Sequence, residues 1–595
     1  MNIFKSYQLQ ESNYLYKLIK ATLFMIICTI CLLLISCNNS EKLLSREEVD
    51  TYWKSGKTLP YSTAKHYPVP AQKPKNDTGI NVLVDVAHQC QFVSIWGFPE
   101  RLNNFGFRAC ASQASLNSVL DPNGYCRTRV PLDSSEKTRP FAWVPNPKIN
   151  VIVTHQFGPE SQEYLPEEQE AVVEFVQDGG GIIIMGSTPK TDDDAERWTL
   201  NHLLKKFDAE FTTINEKYMD QNFPVLKCSN DWDVIATGET GKPVKARRQF
   251  GKGYVVVLGE KEAIIPRGHH TDEKKAEKDQ IFKDAVLWAA QGKSPIGGDF
   301  NFYSMSGGGG SIYPELEKQL GRIVVYYAKN QTDELIKTVE EELPLITKKV
   351  FSWLPSPEPE EPMYIILSSG GGGGWAVNAF KPRENGLISL KPYGVISIFA
   401  HELAHTIAGP ANDNGEWAGI APHHDRGEAH AGWFQGKINA IYKPEDLEMS
   451  NRNCNAYFED EEWLKLDFKK YYENKEGREN FGKGKDWTKM WWIWNKLDDT
   501  YGSTWYPRWR WVQHTRWMDS PKHRLTWEEM VEDMSIAVGE DLFPFFIATG
   551  TSLDTDRLES IEFQGKVIEL PVADIKITPA GNVNVEPIGD YKKPL

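Results

Sequence analysis

Two histidines four positions apart, with a glutamate between them, form the most chemically pointed stretch of this chain: His401-Glu402-Leu403-Ala404-His405. On an α-helix such histidines project from one face, and each can offer a neutral ring nitrogen to a single metal ion. Glu402 sits one step round the helix, near enough to take a proton from a water that the metal has acidified to a pKa of ~7, without being a ligand itself. The chemistry that this HExxH spacing suits is hydrolysis assisted by zinc.

A helix must hold these groups. The run 395–400 is apolar and Leu403, Ala404, Ile407 and Ala408 continue it, as in a buried helix made polar only at its site, before Gly409-Pro410 stops it. A catalytic zinc site takes three protein ligands and leaves one position open. The metzincin spacing would place glycine at 408 and histidine at 411; the chain has Ala408 and Ala411, which excludes that class. Downstream donors are Glu416, His423, His424, Asp425, Glu428 and His430. Glu428 opens a segment whose apolar positions 431, 434, 438, 441 and 442 recur at helical spacing, so it stands in the first turn of a second helix, the gluzincin arrangement. Glu428 is therefore the expected third ligand and Glu416 the alternative.

The run 399–405, followed at a distance by Gly427-Glu428 opening an apolar helix, resembles the enhancin-like zinc metallopeptidases, peptidase family M-60 and its mucin-associated relatives. Their pattern is HExxH, a gap of roughly 8 to 28 residues, then a ligand glutamate. Here the gap to Glu428 is 22 residues and that to Glu416 is 10, so both fit. The resemblance implies one Zn2+ per chain on His401, His405 and Glu428, Glu402 as general base, and a protein or glycoprotein substrate, including mucin-like O-glycoproteins. Segment 537–553 resembles the closing helices of that catalytic domain. Tyr442, His514 and His523 are unranked candidates for stabilising the oxyanion.

Around the site, 595 residues suffice for two or three cores, and a net charge of −15 without a basic stripe argues against a nucleic-acid partner. At the start, Lys17 and Lys20 precede an apolar run ending Leu34-Ile35-Ser36-Cys37, which resembles a bacterial lipobox. Residues 1–37 then read as a lipoprotein signal peptide. Cys37 would carry the lipid that anchors an exported, cell-surface or periplasm-facing protein to a membrane without spanning it, and Pro-containing residues 38–77 would be a linker. Past Cys37 the cysteines, Cys90, Cys110, Cys126, Cys228 and Cys454, are irregularly spaced; a bridge, if formed, is expected among the first three.

Residues 78–293 alternate strand-like runs (80–86, 150–154, 181–185, 253–258) with helical ones (166–177, 274–290), the pattern of a doubly wound parallel sheet. The phrase from Glu167-Glu168 through Gly179-Gly180-Gly181, with Phe250-Gly251-Lys252-Gly253 later, resembles the class I glutamine amidotransferase-like, flavodoxin-type domains. Those enzymes place a cysteine on the turn after the strand; here the turn reads Gly186-Ser187-Thr188, so the domain is expected to be non-catalytic. A Ser187 nucleophile served by His155, His269 or His270 is the alternative, as is a glycan- or protein-binding module with an inactive metal site.

The glycine runs 307–310 and 370–374 lack a following Lys-Ser/Thr, which argues against phosphate loops. The second run follows a strand at 363–367 and could line a cleft that takes an extended peptide by strand addition. With a strand at 386–390, helices at 459–472, 487–501 and 527–538, and nine tryptophans between Trp487 and Trp527, residues 296–555 read as a zincin-type α+β domain with a helical subdomain. The tryptophans belong to its core in the main, with a glycan-facing subset as the alternative. Residues 556–595 read as a β-rich tail. Oligomeric state is not encoded in any of these features.

Overall fold

The protein is described from a computed structural model over residues 74, 76–88, 97–129, 141–156, 162–219, 221–259, 271–292, 312–353, 363–367, 374–377, 387–390, 395–407, 426–442, 467, 485–517 and 525–577. The signal-peptide expectation, including Cys37, the expected linker apart from Pro74, Asn76 and Asp77, and the expected helix at 459–472 apart from Asp467 lie outside these residues. Its architecture is mixed α/β. No helix among the described residues is long and apolar enough to cross a membrane.

In chain order the first half runs β1 (Asn81–Asp85), α1 (Gly97–Asn104), β2 (Arg108–Ser112), α2 (Leu116–Val119), β3 (Tyr125–Arg129), β4 (Phe141–Pro145), β5 (Val151–Gln156), α3 (Pro166–Gln177), β6 (Gly181–Gly186), α4 (Asp192–Arg197), α5 (Thr199–Lys205), β7 (Ala209–Tyr218), β8 (Gln221–Cys228), β9 (Asp233–Thr237), β10 (Pro243–Phe250), β11 (Gly253–Gly259) and α6 (Asp272–Ala289). Strands β1, β5 and β6 are buried at every position, which is why their middles read as short apolar runs (82–84, 151–153, 182–185) rather than alternations. They join a seven-stranded sheet ordered β2-β1-β5-β6-β11-β10-β9. The first five strands of that order are mutually parallel and, counted among themselves, follow 2-1-3-4-5, a doubly wound order whose reversal falls between β1 and β5. β10 and β9 extend the sheet antiparallel. Helix α3 starts cleanly because Pro166 suits a first turn and the Glu168 carboxylate accepts the Leu165 N–H at 3.0 Å.

The second half contains β12 (Leu316–Leu320), β13 (Ile323–Tyr327), α7 (Asp333–Trp353), β14 (Met363–Leu367), β15 (Gly374–Val377), β16 (Leu387–Leu390), α8 (Val395–Ile407), α9 (Arg426–Tyr442), α10 (Lys485–Tyr501), α11 (Trp505–Trp517), α12 (Trp527–Val538), α13 (Phe543–Ala548), β17 (Ser560–Phe563) and β18 (Lys566–Glu569). Its five-stranded sheet is ordered β12-β13-β14-β16-β15, parallel through β13, β14 and β16 and antiparallel at both ends. One core joins the inner residues of this sheet and α7 to helices α8 to α13. Trp353, Trp433, Trp492, Trp494, Trp505, Trp509 and Trp527 are all buried in it. Each such ring contributes on the order of 2–3 kcal/mol by leaving water, and that is the core role expected of most of them. Trp511 is the exposed exception, set edge-on to Phe563. Gly432 in α9 is required by this packing, since a Cβ there would lie 2.7 Å from the Trp491 ring.

The tail is more self-contained than a strand completing a larger sheet. Among the described residues β17 and β18 pair only with each other, through the two-residue turn Gln564-Gly565, where both φ angles are positive as a type I′ turn demands. Cys110 and Cys126 are buried free thiols, not bridged to each other. Burial pushes the Cys126 thiol up to about 12 and raises that of Cys110, which the neighbouring Cys126 raises further.

Candidate metal centre

The HExxH segment lies on α8, which packs against α7, β15, β16 and, most extensively, α9. Residues 398–404 show how the helix is set. Phe399, Ala400, Leu403 and Ala404 are wholly buried, whereas Ile398 and His401, one turn apart, are partly exposed. His401 is thus less enclosed than the inward residues of the same helix. Glu402 is 3% exposed on a helix whose other inward residues are apolar. A carboxylate is costly to bury in such surroundings without a polar task.

Helix α9 carries Glu428 in its first turn, and α9 lies directly beside α8. The backbone thus places the two histidine positions and the Glu428 position on adjacent, contacting helices. Side chains of His405, Glu428, Tyr442 and His514 are outside those described, as are residues Glu416, His423, His424, Asp425 and His523 altogether. Among the described residues no group of three His, Cys, Asp or Glu side chains is placed to hold a metal ion. The donor set that the two helices offer, two imidazoles and one carboxylate, matches zinc in hardness and number.

His430, one of the downstream donors, is put to another use. It is buried on α9, with its Nε2 2.6 Å from the Tyr506 hydroxyl and its ring 5.9 Å from that of Trp494. Farther along α9 the Trp433 indole donates to Asn495 Oδ1 at 2.9 Å and the buried Lys437 pairs with Asp498, so the helix is tied to α10 as well. Burial drives the Tyr506 hydroxyl well above its ordinary range, and Arg510 lowers it only in part.

In the first half, Ser187 stands half-buried after β6, and the next residue, Thr188, donates its hydroxyl to Asn215. His155 is buried within β5. His269 and His270 lie outside the described residues. A different cluster, absent from the sequence reading, occupies the reversal point of the sheet. His88 bridges two carboxylates, Nδ1 to Asp85 at 2.8 Å and Nε2 to Glu168 at 3.2 Å, while its ring stacks on Tyr164 at 3.9 Å. Burial lowers its pKa, but the Asp85 and Glu168 charges more than offset that, leaving it raised to about 10. The available signal was Asp85 closing the apolar run 82–84 of β1, with His88 three residues on.

No family model and no curated protein matches this chain. Among solved structures, the ZmpB metallopeptidase from Clostridium perfringens is 12% identical over 51% of this chain and 56% of its own, with a TM-score of 0.25. A cytoplasmic protein from Salmonella typhimurium is 12% identical over 35% of this chain and 99% of its own, with a TM-score of 0.22. At those values neither likeness carries an argument, and the reading of the site rests on its own residues.

Proposed function

We propose that this chain is a zinc-dependent endopeptidase acting on proteins or glycoproteins, with mucin-like O-glycoproteins as the substrate class and a lipid on Cys37 as its membrane anchor. The observation that carries the reading is the side-by-side packing of α8, bearing His401, Glu402 and His405, and α9, bearing Glu428. The partly exposed His401 and the buried Glu402 on an otherwise apolar helix support it.

In this reading His401, His405 and Glu428 hold zinc, with Glu416 as the alternative third ligand. When bound there, zinc supplies Lewis acidity toward a peptide carbonyl and lowers the pKa of water. Glu402 takes the proton from the attacking water and passes it to the departing amine. Tyr442, His514 and His523 remain the candidates for donating to the oxyanion. β15 supports an extended substrate: it is the end strand of its sheet, antiparallel to β16 and packed against α8, so its outer backbone groups suit strand addition. The first half serves as a non-catalytic flavodoxin-type, glutamine amidotransferase-like domain, and the second as a zincin-type one.

The deciding experiment compares wild type, Glu402→Gln and Ser187→Ala by mass spectrometry of digested glycoproteins, with zinc measured in each. Glu402→Gln should keep zinc and lose cleavage, and Ser187→Ala should keep both. Cleavage that survives Glu402→Gln but not Ser187→Ala would move the activity to the first domain. Zinc without cleavage in wild type would favour a binding module.

A further inference from the structure

A doubly wound sheet takes its ligand outside the carboxyl ends of its strands, at the point where strand order reverses. Here that point lies between β1 and β5, where the His88 cluster sits, and polar groups of the chain's own later segment bond to the connections that follow both strands. Asn330 Nδ2 donates to the Ala87 carbonyl, just past β1, at 3.0 Å. Gln331 Oε1 accepts from Gln162 Nε2, in the connection that follows β5, at 3.4 Å. Beside them the Glu315 carboxylate, 5% exposed, accepts from Ser115 N at 3.2 Å, Ser118 Oγ at 3.3 Å, Lys329 N at 3.0 Å and the Ser115 hydroxyl. The backbone joins in as well. Ile312 bridges to Ser112 in parallel, with Gln113 N donating to Ile312 O at 3.0 Å, and Tyr313 N donates to Arg127 O at 2.8 Å.

We propose that the segment from Ile312 to Gln331 is the internal ligand of the first sheet: Asn330 and Gln331 take the rim of the crevice where a separate ligand would otherwise bind, and the Glu315 carboxylate anchors the segment beside it, on the residues that follow β2. A carboxylate- and amide-bearing peptide of the same chain takes the place of a small molecule. That segment contains β12 and β13, the far side of the sheet whose other end packs on α8. The first domain thus acts as a clamp on the second sheet. Because the clamp needs no zinc and no catalysis, it stands or falls separately from the peptidase reading.

Hydrogen–deuterium exchange on the full chain tests it. Glu315→Ala should raise exchange by on the order of tenfold or more in peptides covering 81–88, 108–120 and 323–331 together, because buried donors lose a charged acceptor. Peptides covering 243–259 should stay unchanged. Acetate should restore part of the protection by entering the vacated carboxylate position. Ser118→Ala, which removes one donor only, should give the same pattern at smaller amplitude and serves if Glu315→Ala does not fold. Unchanged exchange at 81–88 and 108–120, or a uniform rise that includes 243–259, would overturn the proposal.

Discussion

His430 and Tyr506 are joined by a 2.6 Å bond from ring nitrogen to phenol oxygen, and their rings stack 5.7 Å apart at 18°. The bond pins α9 to α11 only two residues past Glu428, so the orientation of the helix that carries Glu428 is fixed from inside the aromatic core. Trp353 also stacks on Tyr506, 5.0 Å away at 17°, which leaves the phenol little freedom to turn.

Tyr506→Phe should therefore destabilise the fold by ~1–3 kcal/mol, since the ring is kept but a buried hydrogen bond is lost. Chemical denaturation of wild type and variant measures it. An unchanged midpoint and slope would mean that the bond does not hold α9 in solution.

The third ligand can be assigned by metal analysis without any assay of cleavage. Glu428→Ala should lower zinc affinity by about 100-fold or more, because an inner ligand matters at least as much as an outer partner of one. Glu416→Ala should leave it unchanged. The reverse result would move the ligand to Glu416 and detach the site from the first turn of α9.

What the sequence disclosed depended on how local each signal is. Helix α8 begins at Val395, where the apolar run starts, and α12 covers 527–538 as the periodicity predicts, because both follow from short-range pattern. The buried strands were legible as apolar runs, but their 2-1-3-4-5 order was not, since pairing joins residues far apart in the chain. Helix α11 escaped notice because Trp505, Tyr506, Pro507 and Trp509 crowd its start and blur the helical period, although Pro507 falls in the first turn, where it is tolerated. The hairpin β7–β8 and the helix α7, with Pro344 inside it, were missed for similar reasons. Glu315 gave no sign of its role: its partner Ser115 is 200 residues away. Of the proposed metal centre, the two helices and their adjacency were expected from the motif and the spacing of apolar residues, and the structure has both helices in contact; the ligand roles of His401, His405 and Glu428 rest on the sequence.

Arg127 supplies a third test. Its guanidinium lies between the Trp143 and Tyr326 rings, 4.7 and 4.5 Å from their centres, and donates to Pro314 O, Glu315 O and Glu317 Oε2 at 3.0, 3.2 and 3.0 Å. A lysine keeps the charge but cannot fill a planar slot or reach three acceptors in a fork. Arg127→Lys should cost at least ~2 kcal/mol from the lost stacking and hydrogen bonds. Equal stability in denaturant titration would show that the planar geometry contributes nothing.

The His88 cluster predicts how stability changes with pH. Facing its ring are Asp85 at the end of β1, Glu168 on α3, Tyr164 in the stack, and Thr154 on β5, whose hydroxyl bonds both Asp85 and Tyr164. The folded pKa is about 10, above the ~6.5 of an unfolded histidine. A group raised in this way contributes its full stabilisation below pH ~6.5 and loses it as pH climbs toward the folded value, at up to ~1.4 kcal/mol per pH unit. Wild type should thus lose stability between about pH 7 and 10. His88→Asn should be weaker at pH 7 but flatter across the same range, because its side chain does not titrate. The measurement is denaturant unfolding at several pH values, following exchange in peptides covering 81–88 and 166–177. Parallel pH profiles for the two proteins would show that His88 is not the group responsible, and that the two carboxylates are held by something other than its charge.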